Sequence, residues 1–254
     1  MSKKSSLRQA LEHRILLLDG GMGSMIQEYN LTEDDFRGTA FVTSQVPLKG
    51  NNDVLSLTRP DVISEIHHRY LEAGADIITT NTFSSQVISQ KDYGLTAHVD
   101  ALNRASATLA RQEADRMTAL TPSQPRFVVG DIGPTSKMLS MSEDVNDPAS
   151  RAVTFDQVEA AYLQQMRVLL ECRVDAVLVE TIFDTLNAKA AISAFIKAKE
   201  EFANDEYVPE IMLSMTVSDS SGRTLSGQTI EAFVISVEHC SPLSLGLNCG
   251  LGAS

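Results

Sequence analysis

The segment Leu245-Gly246-Leu247-Asn248-Cys249-Gly250 reads as a short apolar strand that ends in an amide and a thiol and then turns on a glycine. Cysteine thiolate is a soft ligand that suits zinc, and a catalytic zinc takes three protein ligands and leaves one position open. A lone cysteine also packs as a small hydrophobe, so Cys249 gains meaning only from the other strand ends. These carry Asp19-Gly20-Gly21, Thr80-Asn81-Thr82, Gly133-Pro134-Thr135 and Glu180-Thr181. Two carboxylates suit an ammonium group, and backbone amides at a glycine turn suit a carboxylate. Together they suit an amino acid, and a thiol–metal centre at Cys249 suits one that bears a thiol. The plainer alternative has Asp19 and Glu180 capping their turns or pairing with a neighbouring lysine.

These residues form one site only if the chain brings the strand ends together. Ile15–Leu18 is continuously apolar and predicts a fully buried strand. Similar runs predict strands at Ile77–Thr80, Phe127–Asp131, Ala176–Glu180 and Ile211–Val217, with the last at Leu245–Cys249. Helices are expected between them, opened by Pro60 and then over about 99–117, 155–171, 185–202 and 230–239. The glycines after Asp19 suggest a dinucleotide fingerprint, but Ile26 stands where its third glycine belongs. The long polar connection from Asn30 to Thr58, with Lys49-Gly50-Asn51-Asn52-Asp53 inside it, is expected to act as a lid over the mouth. Adjacent His67 and His68 point in different directions on a helix and are expected to be a solvated surface pair.

A faint repeat aligns Leu71-Glu72-Ala73-Gly74-Ala75-Asp76 with Leu170-Glu171-Cys172-Arg173-Val174-Asp175, each at a helix–strand junction. It makes Cys172 a packing residue and puts Arg173 where Gly74 caps a helix. The alternation predicts an α/β protein, a TIM-type (β/α)8 barrel truncated after about six strands, with function at the strand C-termini.

Composition narrows the partners. A formal net charge of -12 over 254 residues, with no basic cluster, argues against nucleic acid and against an anionic membrane surface. No run is long enough to span a bilayer or form a signal h-region. Three scattered cysteines, Cys172, Cys240 and Cys249, make no disulfide framework, so a cytoplasmic location is expected. No lysine occupies a strand end, which disfavours a Schiff-base aldolase.

The motifs DGGMGSMIQ (19–27), FRG (36–38), KGNNDVL (49–55), AGADIITTNTF (73–83), DVNDPASRAVTF (144–155), VETIFDTLNAKAA (179–191), SGRTLSGQT (221–229) and GLNCGLG (246–252) carry a resemblance. They resemble the homocysteine-binding domain of cobalamin-dependent methionine synthases, within the homocysteine S-methyltransferase family, over about Ile15 to Gly252. Cobalamin-independent homocysteine methyltransferases share the DGG, VET and NC elements but not FRG with KGNND or the DTLNAKAA and SGRTLSGQT runs.

The resemblance implies a zinc enzyme whose metal is held by one cysteine at the Asn-Cys strand end and two adjacent ones in a later motif. Cys249 matches the first as catalytic metal ligand; Cys172 and Cys240 sit in no matching motif. Residues 1–254 are then expected to be a homocysteine-binding barrel domain without its last two βα units and its Cys-Cys pair. Alone, such a chain is expected to hold no stoichiometric zinc and to transfer no methyl group.

For the substrate, the resemblance assigns Asp19 and Glu180 to the ammonium, and the backbone at Gly20, Gly21, Thr80 and Asn81 to the carboxylate, with Asn248 beside the thiol. Thr79 stands where some relatives carry an acid. The implied reaction makes methionine from homocysteine, its thiolate activated on zinc. Methylcobalamin would be the immediate donor and methyltetrahydrofolate the ultimate one, both held on other modules of the full-length protein. The alternatives are a cobalamin-independent homocysteine S-methyltransferase and an inert fragment.

Overall fold

Strands built from uninterrupted Val, Ile and Leu need cover on both faces, and parallel α/β packing provides it. The computed structural model describes residues 5–250 except 143, 205 and 219. Its strands are β1 (Ile77–Thr79), β2 (Phe127–Ile132), β3 (Ala176–Ile182), β4 (Glu210–Met215) and β5 (Ser244–Leu247). They pair in sequence order, all parallel, into a curled half-barrel. The helices in chain order are α1 (Ser6–Leu11), α2 (Met22–Glu28), α3 (Glu33–Arg37), α4 (Leu55–Thr58), α5 (Pro60–Glu72), α6 (Val87–Gln90), α7 (Val99–Leu120), α8 (Phe155–Glu171), α9 (Thr185–Phe202) and α10 (Ile230–Val237). Among the described residues no helix is long and apolar enough to cross a membrane.

Side chains alternate along each strand and so divide the core in two. Ile77, Phe127, Val129, Ala176 and Leu178 cluster on one face with Leu7 of α1. Ile78, Val128, Ile132, Val177 and Val179 face the helices on the other. Arg8 pins α1 to the start of β4 through a two-pronged pair with Glu210, at 2.7 and 2.8 Å.

The first expected strand is corrected by the structure. Only Leu18 bridges Ile77, and Ile15, Leu17 and Leu18 are 86%, 57% and 44% exposed. This segment bonds β1 on one side, with Asp19 N–H donating to the Ile77 carbonyl at 2.9 Å, and no described strand lies on its other side. A continuous apolar run predicts burial only where both flanks are filled. At the opposite edge, Leu245 and Leu247 of β5 are exposed for the same reason.

The repeat has a physical basis. Asp76 accepts the Leu17 amide at 2.9 Å, and Asp175 accepts the Val128 amide at 2.8 Å, so each aspartate ties its strand to the one before it. Gly74 adopts φ +110°, and Arg173 is held left-handed at φ +60° in the matching place. Its guanidinium lies 4.7 Å from the centre of the Tyr207 ring, a contact that offsets part of the strain.

The histidine pair is also corrected. His67 is fully buried on α5 with neither ring nitrogen partnered among the described residues, while His68 contacts Arg116. Helical periodicity places position 67 beside Ile63 and Ile66 on the core face, where a polar side chain gives no sequence warning. Burial pulls the His67 pKa down to about 4. The unfolded chain therefore binds a proton that the fold rejects, and stability falls as pH drops from about 6.5 towards 4. His67→Leu removes that loss. The stability advantage of the variant over the parent, read from urea midpoints, is expected to widen by about 2 kcal/mol from pH 7 to pH 5; a constant gap would refute it.

Candidate functional site

Asp19, Gly20, Gly21, Thr80, Asn81, Glu180, Asn248 and Cys249 all line one cavity of about 570 Å³ at the C-terminal end of the sheet. That volume lies within the range of small-molecule sites. No lysine or arginine lines it, whereas four carboxyls do: Asp19, Asp53, Asp131 and Glu180.

Asp19 follows the Leu18 bridge, and both the amide and the hydroxyl of Thr79 donate to its carboxylate, at 2.8 and 3.2 Å. Burial raises its pKa to about 7 against those two bonds, and the charge of Glu180 adds to the rise. An incoming cation would reverse this shift. Gly20 permits a close approach: a Cβ there would stand 2.9 Å from the Tyr70 hydroxyl. The amides of Gly20 and Gly21 meet no acceptor among the described residues, which leaves them available to a ligand carboxylate.

Glu180 sits at an irregularity of β3 between Val179 and Ile182, where Thr181 is forced to φ +53°. A β-branched residue is strained there. Asn248 holds this bend from β5. Its oxygen accepts the Thr181 amide at 3.0 Å and the Ser214 hydroxyl at 2.8 Å. Its nitrogen donates to Glu180 Oε2 at 2.8 Å, Thr181 Oγ1 at 2.9 Å and Cys249 Sγ at 3.3 Å. The amide of Asn248 is thus committed to shaping the site, one residue before the thiol.

Thr80 and Asn81 likewise spend their polar groups on the protein. The Thr80 amide donates to the Val129 carbonyl, and its hydroxyl accepts from the Asp131 amide at 2.9 Å. Asn81 donates through Nδ2 to the Asn52 carbonyl at 2.8 Å, and its amide reaches Ser106. Both line the cavity and fix its wall.

The connection from Asn30 to Thr58 does cover the mouth, yet it is a packed wall and not a loose lid. Phe36, Phe41, Leu48, Val54 and Leu55 form their own apolar cluster with α5. Glu33 accepts the amides of Leu48 and Lys49 and pairs with Arg37 at 2.7 Å, which joins the FRG and KGNND motifs physically. Buried Asp53 takes the Ser84 amide and the Ser85 hydroxyl, each at 2.8 Å, and burial raises its pKa to about 6. In the VETIFDTLNAKAA motif, Asp184 caps α9 and accepts the amides of Leu139 and Ser140. That anchors the loop after β2.

Cys249 is exposed at φ +50°, its carbonyl held by Thr216 at 3.1 Å. Cys172 and Cys240 are half-buried elsewhere, and their thiol pKa values are raised, chiefly by burial. Among the described residues no group of three or more His, Cys, Asp or Glu side chains could hold a metal. Cys249 alone does not fit a zinc centre; the other ligands would have to lie outside these residues. The last two residues of the GLNCGLG motif, Leu251 and Gly252, fall outside them too.

Asp131 is the residue that sequence reasoning missed. It is buried in β2, two residues ahead of the turn at Gly133. Its Oδ1 is buried and has no partner among the described residues. Burial raises its pKa well above the usual range, and the charges of Glu180, Asp53 and Asp19 add to this. Glu180 is also raised, chiefly by burial. The signal in the sequence is an acid ending an otherwise apolar strand on the side where barrels do chemistry.

A family model described as homocysteine S-methyltransferase matches residues 16–254. Among solved structures, the chain is similar to the homocysteine methyltransferase MmuM from Escherichia coli. The metallated form is 20% identical with a TM-score of 0.72, covering 96% of this chain and 77% of that one. The apo form is 20% identical with a TM-score of 0.66, over 96% of this chain and 75% of that one. These likenesses establish the fold.

Proposed function

Because this chain belongs to the homocysteine S-methyltransferase family, we propose that its cavity binds homocysteine and presents the thiol for methylation to methionine. The observation that carries this reading is the charge layout of the cavity lining: four acids and no lysine or arginine, glycine amides without an acceptor among the described residues, and an exposed thiol at Cys249. Asp19 and Glu180 take the ammonium, and the amides of Gly20 and Gly21 take the carboxylate. Asn248 fixes the distance between the ammonium end and Cys249. Together these groups hold homocysteine with its sulfur directed towards Cys249.

Zinc bound at Cys249, with two further thiolates supplied from outside the described residues, would lower the pKa of the substrate thiol. The similar MmuM structure described as metallated favours a metal here. For the donor we favour methylcobalamin, supplied with methyltetrahydrofolate by other modules of the full-length protein, on the FRG, KGNND and SGRTLSGQT motifs. A cavity larger than an amino acid needs leaves room for a donor to approach.

Calorimetric titration of the chain tests the binding step. L-homocysteine should bind, 4-mercaptobutyrate, which lacks the ammonium, should bind more weakly, and absence of homocysteine binding at millimolar concentration would overturn the reading. In the full-length protein, methionine made from a sulfonium donor and not from methylcobalamin would overturn the donor assignment alone.

A further inference from the structure

The turn that offers Gly20 and Gly21 to the cavity is held from behind by a residue outside the cavity lining. Tyr70, on α5, packs against both the helix-side core of the sheet and the apolar cluster of the wall. Its hydroxyl donates to the Gly21 carbonyl at 3.2 Å. The Met25 amide also reaches that carbonyl, but at 3.4 Å. The phenol lies over Gly20, where an added Cβ would stand 2.9 Å from the hydroxyl and 3.1 Å from Cε1. One side chain therefore braces the dipeptide at both ends, and the peptide plane between them carries the Gly21 N–H.

Glycine has no Cβ to limit its rotation, so an unbraced Gly-Gly turn spreads its amides over many directions. Gly20 and Gly21 are exposed, and neither N–H has an acceptor among the described residues. Hydrogen bonds of those amides thus do not fix where they point. We propose that Tyr70 is a positioning residue for the carboxylate contact: by holding Gly20 and Gly21 it aims their amides into the cavity before the ligand arrives. Ordering a flexible donor pair in advance removes that cost from binding. Burial and the charge of Asp19 raise the Tyr70 pKa, so the phenol keeps the proton it donates. Because Tyr70 also packs in the wall, the wall and the carboxylate contact share one support.

This inference rests on the glycine amides taking the homocysteine carboxylate, which calorimetric titration of the parent chain checks first. The parent should bind homocysteine more tightly than 3-aminopropane-1-thiol, which keeps the ammonium and the thiol but lacks the carboxylate. Equal affinities would overturn that contact and the role of Tyr70 with it. Tyr70→Phe keeps the ring in its packing and removes only the hydroxyl, so its urea midpoint should stay close to the parent's. It should bind homocysteine about threefold to tenfold more weakly, the loss of one hydrogen bond, while 3-aminopropane-1-thiol changes by less than about twofold. Tyr70→Leu also removes the ring over Gly20 and should lose at least as much homocysteine affinity. Equal losses for the two ligands would make Tyr70 a general support of the fold and overturn the positioning role. Unchanged homocysteine affinity in Tyr70→Phe would overturn it as well.

Discussion

Glu180→Gln should weaken homocysteine binding by about 1.5–3 kcal/mol, a rise in Kd of roughly tenfold to 150-fold. The substitution removes charge and little else. Glutamine retains a carbonyl that can accept from Asn248 Nδ2, so the clamp on Thr181 and the course of β3 should survive. What disappears is a charge-assisted bond to the ammonium, in a cavity that no lysine or arginine lines to compete for it. Binding of 4-mercaptobutyrate should hold or improve, since its carboxylate would meet one fewer negative group. In the full-length protein metal content should not change, because Glu180 belongs to no cluster of metal ligands among the described residues. Lost metal with intact homocysteine affinity would make Glu180 a metal-site residue and remove it from the ammonium contact.

Asp76→Ala should cost about 3–5 kcal/mol of folding stability, the range for breaking one side of a buried ion pair. Asp76 is 1% exposed and is held from three sides. Arg14 donates two bonds, at 2.7 and 2.8 Å, with one each from the Leu17 amide at 2.9 Å and Gln124 at 2.8 Å. Arg14 is itself 37% exposed and can turn to water, so the lower half of that range is expected. The Leu17 amide loses its acceptor. Its loss would loosen the segment that carries Asp19 into the cavity, so homocysteine affinity should fall along with the unfolding midpoint.

Burial pushes the Asp76 carboxyl up, but its bonds to Arg14, Gln124 and Leu17 outweigh that and bring the pKa down to about 2. With a folded pKa below the unfolded one, the contribution of Asp76 is complete above about pH 4 and is lost as pH falls through 2. The stability difference between parent and variant should therefore be flat at neutral pH and shrink in strong acid. A gap that stays constant down to pH 2 would contradict this origin.

What the sequence determined is what period and local chemistry can encode. The apolar runs expected as strands at 77–80, 127–131, 176–180 and 211–217 became parallel strands at 77–79, 127–132, 176–182 and 210–215, and the helices expected over about 155–171 and 185–202 are α8 and α9, opened in the structure by the capping side chains of Thr154 and Asp184. The strand-end residues Asp19, Glu180, Asn248 and Cys249 share one cavity because parallel strands put all their C-termini on one side.

The tertiary structure decided everything that depends on which neighbours arrive. Ile15–Leu18 has the same apolar character as β2, yet it is exposed because only one flank is filled. His67 looks like any polar helical residue until the packing of α5 encloses it. The polar stretch from Asn30 to Thr58 reads as a loop, but Glu33 and Asp53 fold it into a wall by binding backbone and hydroxyl groups distant in sequence. Asp131 gained its meaning in the same way. An acid ending a strand is common, whereas an acid buried beside Glu180 in the wall of the cavity, with Oδ1 unpartnered among the described residues, exists only once two strands have been laid side by side in register.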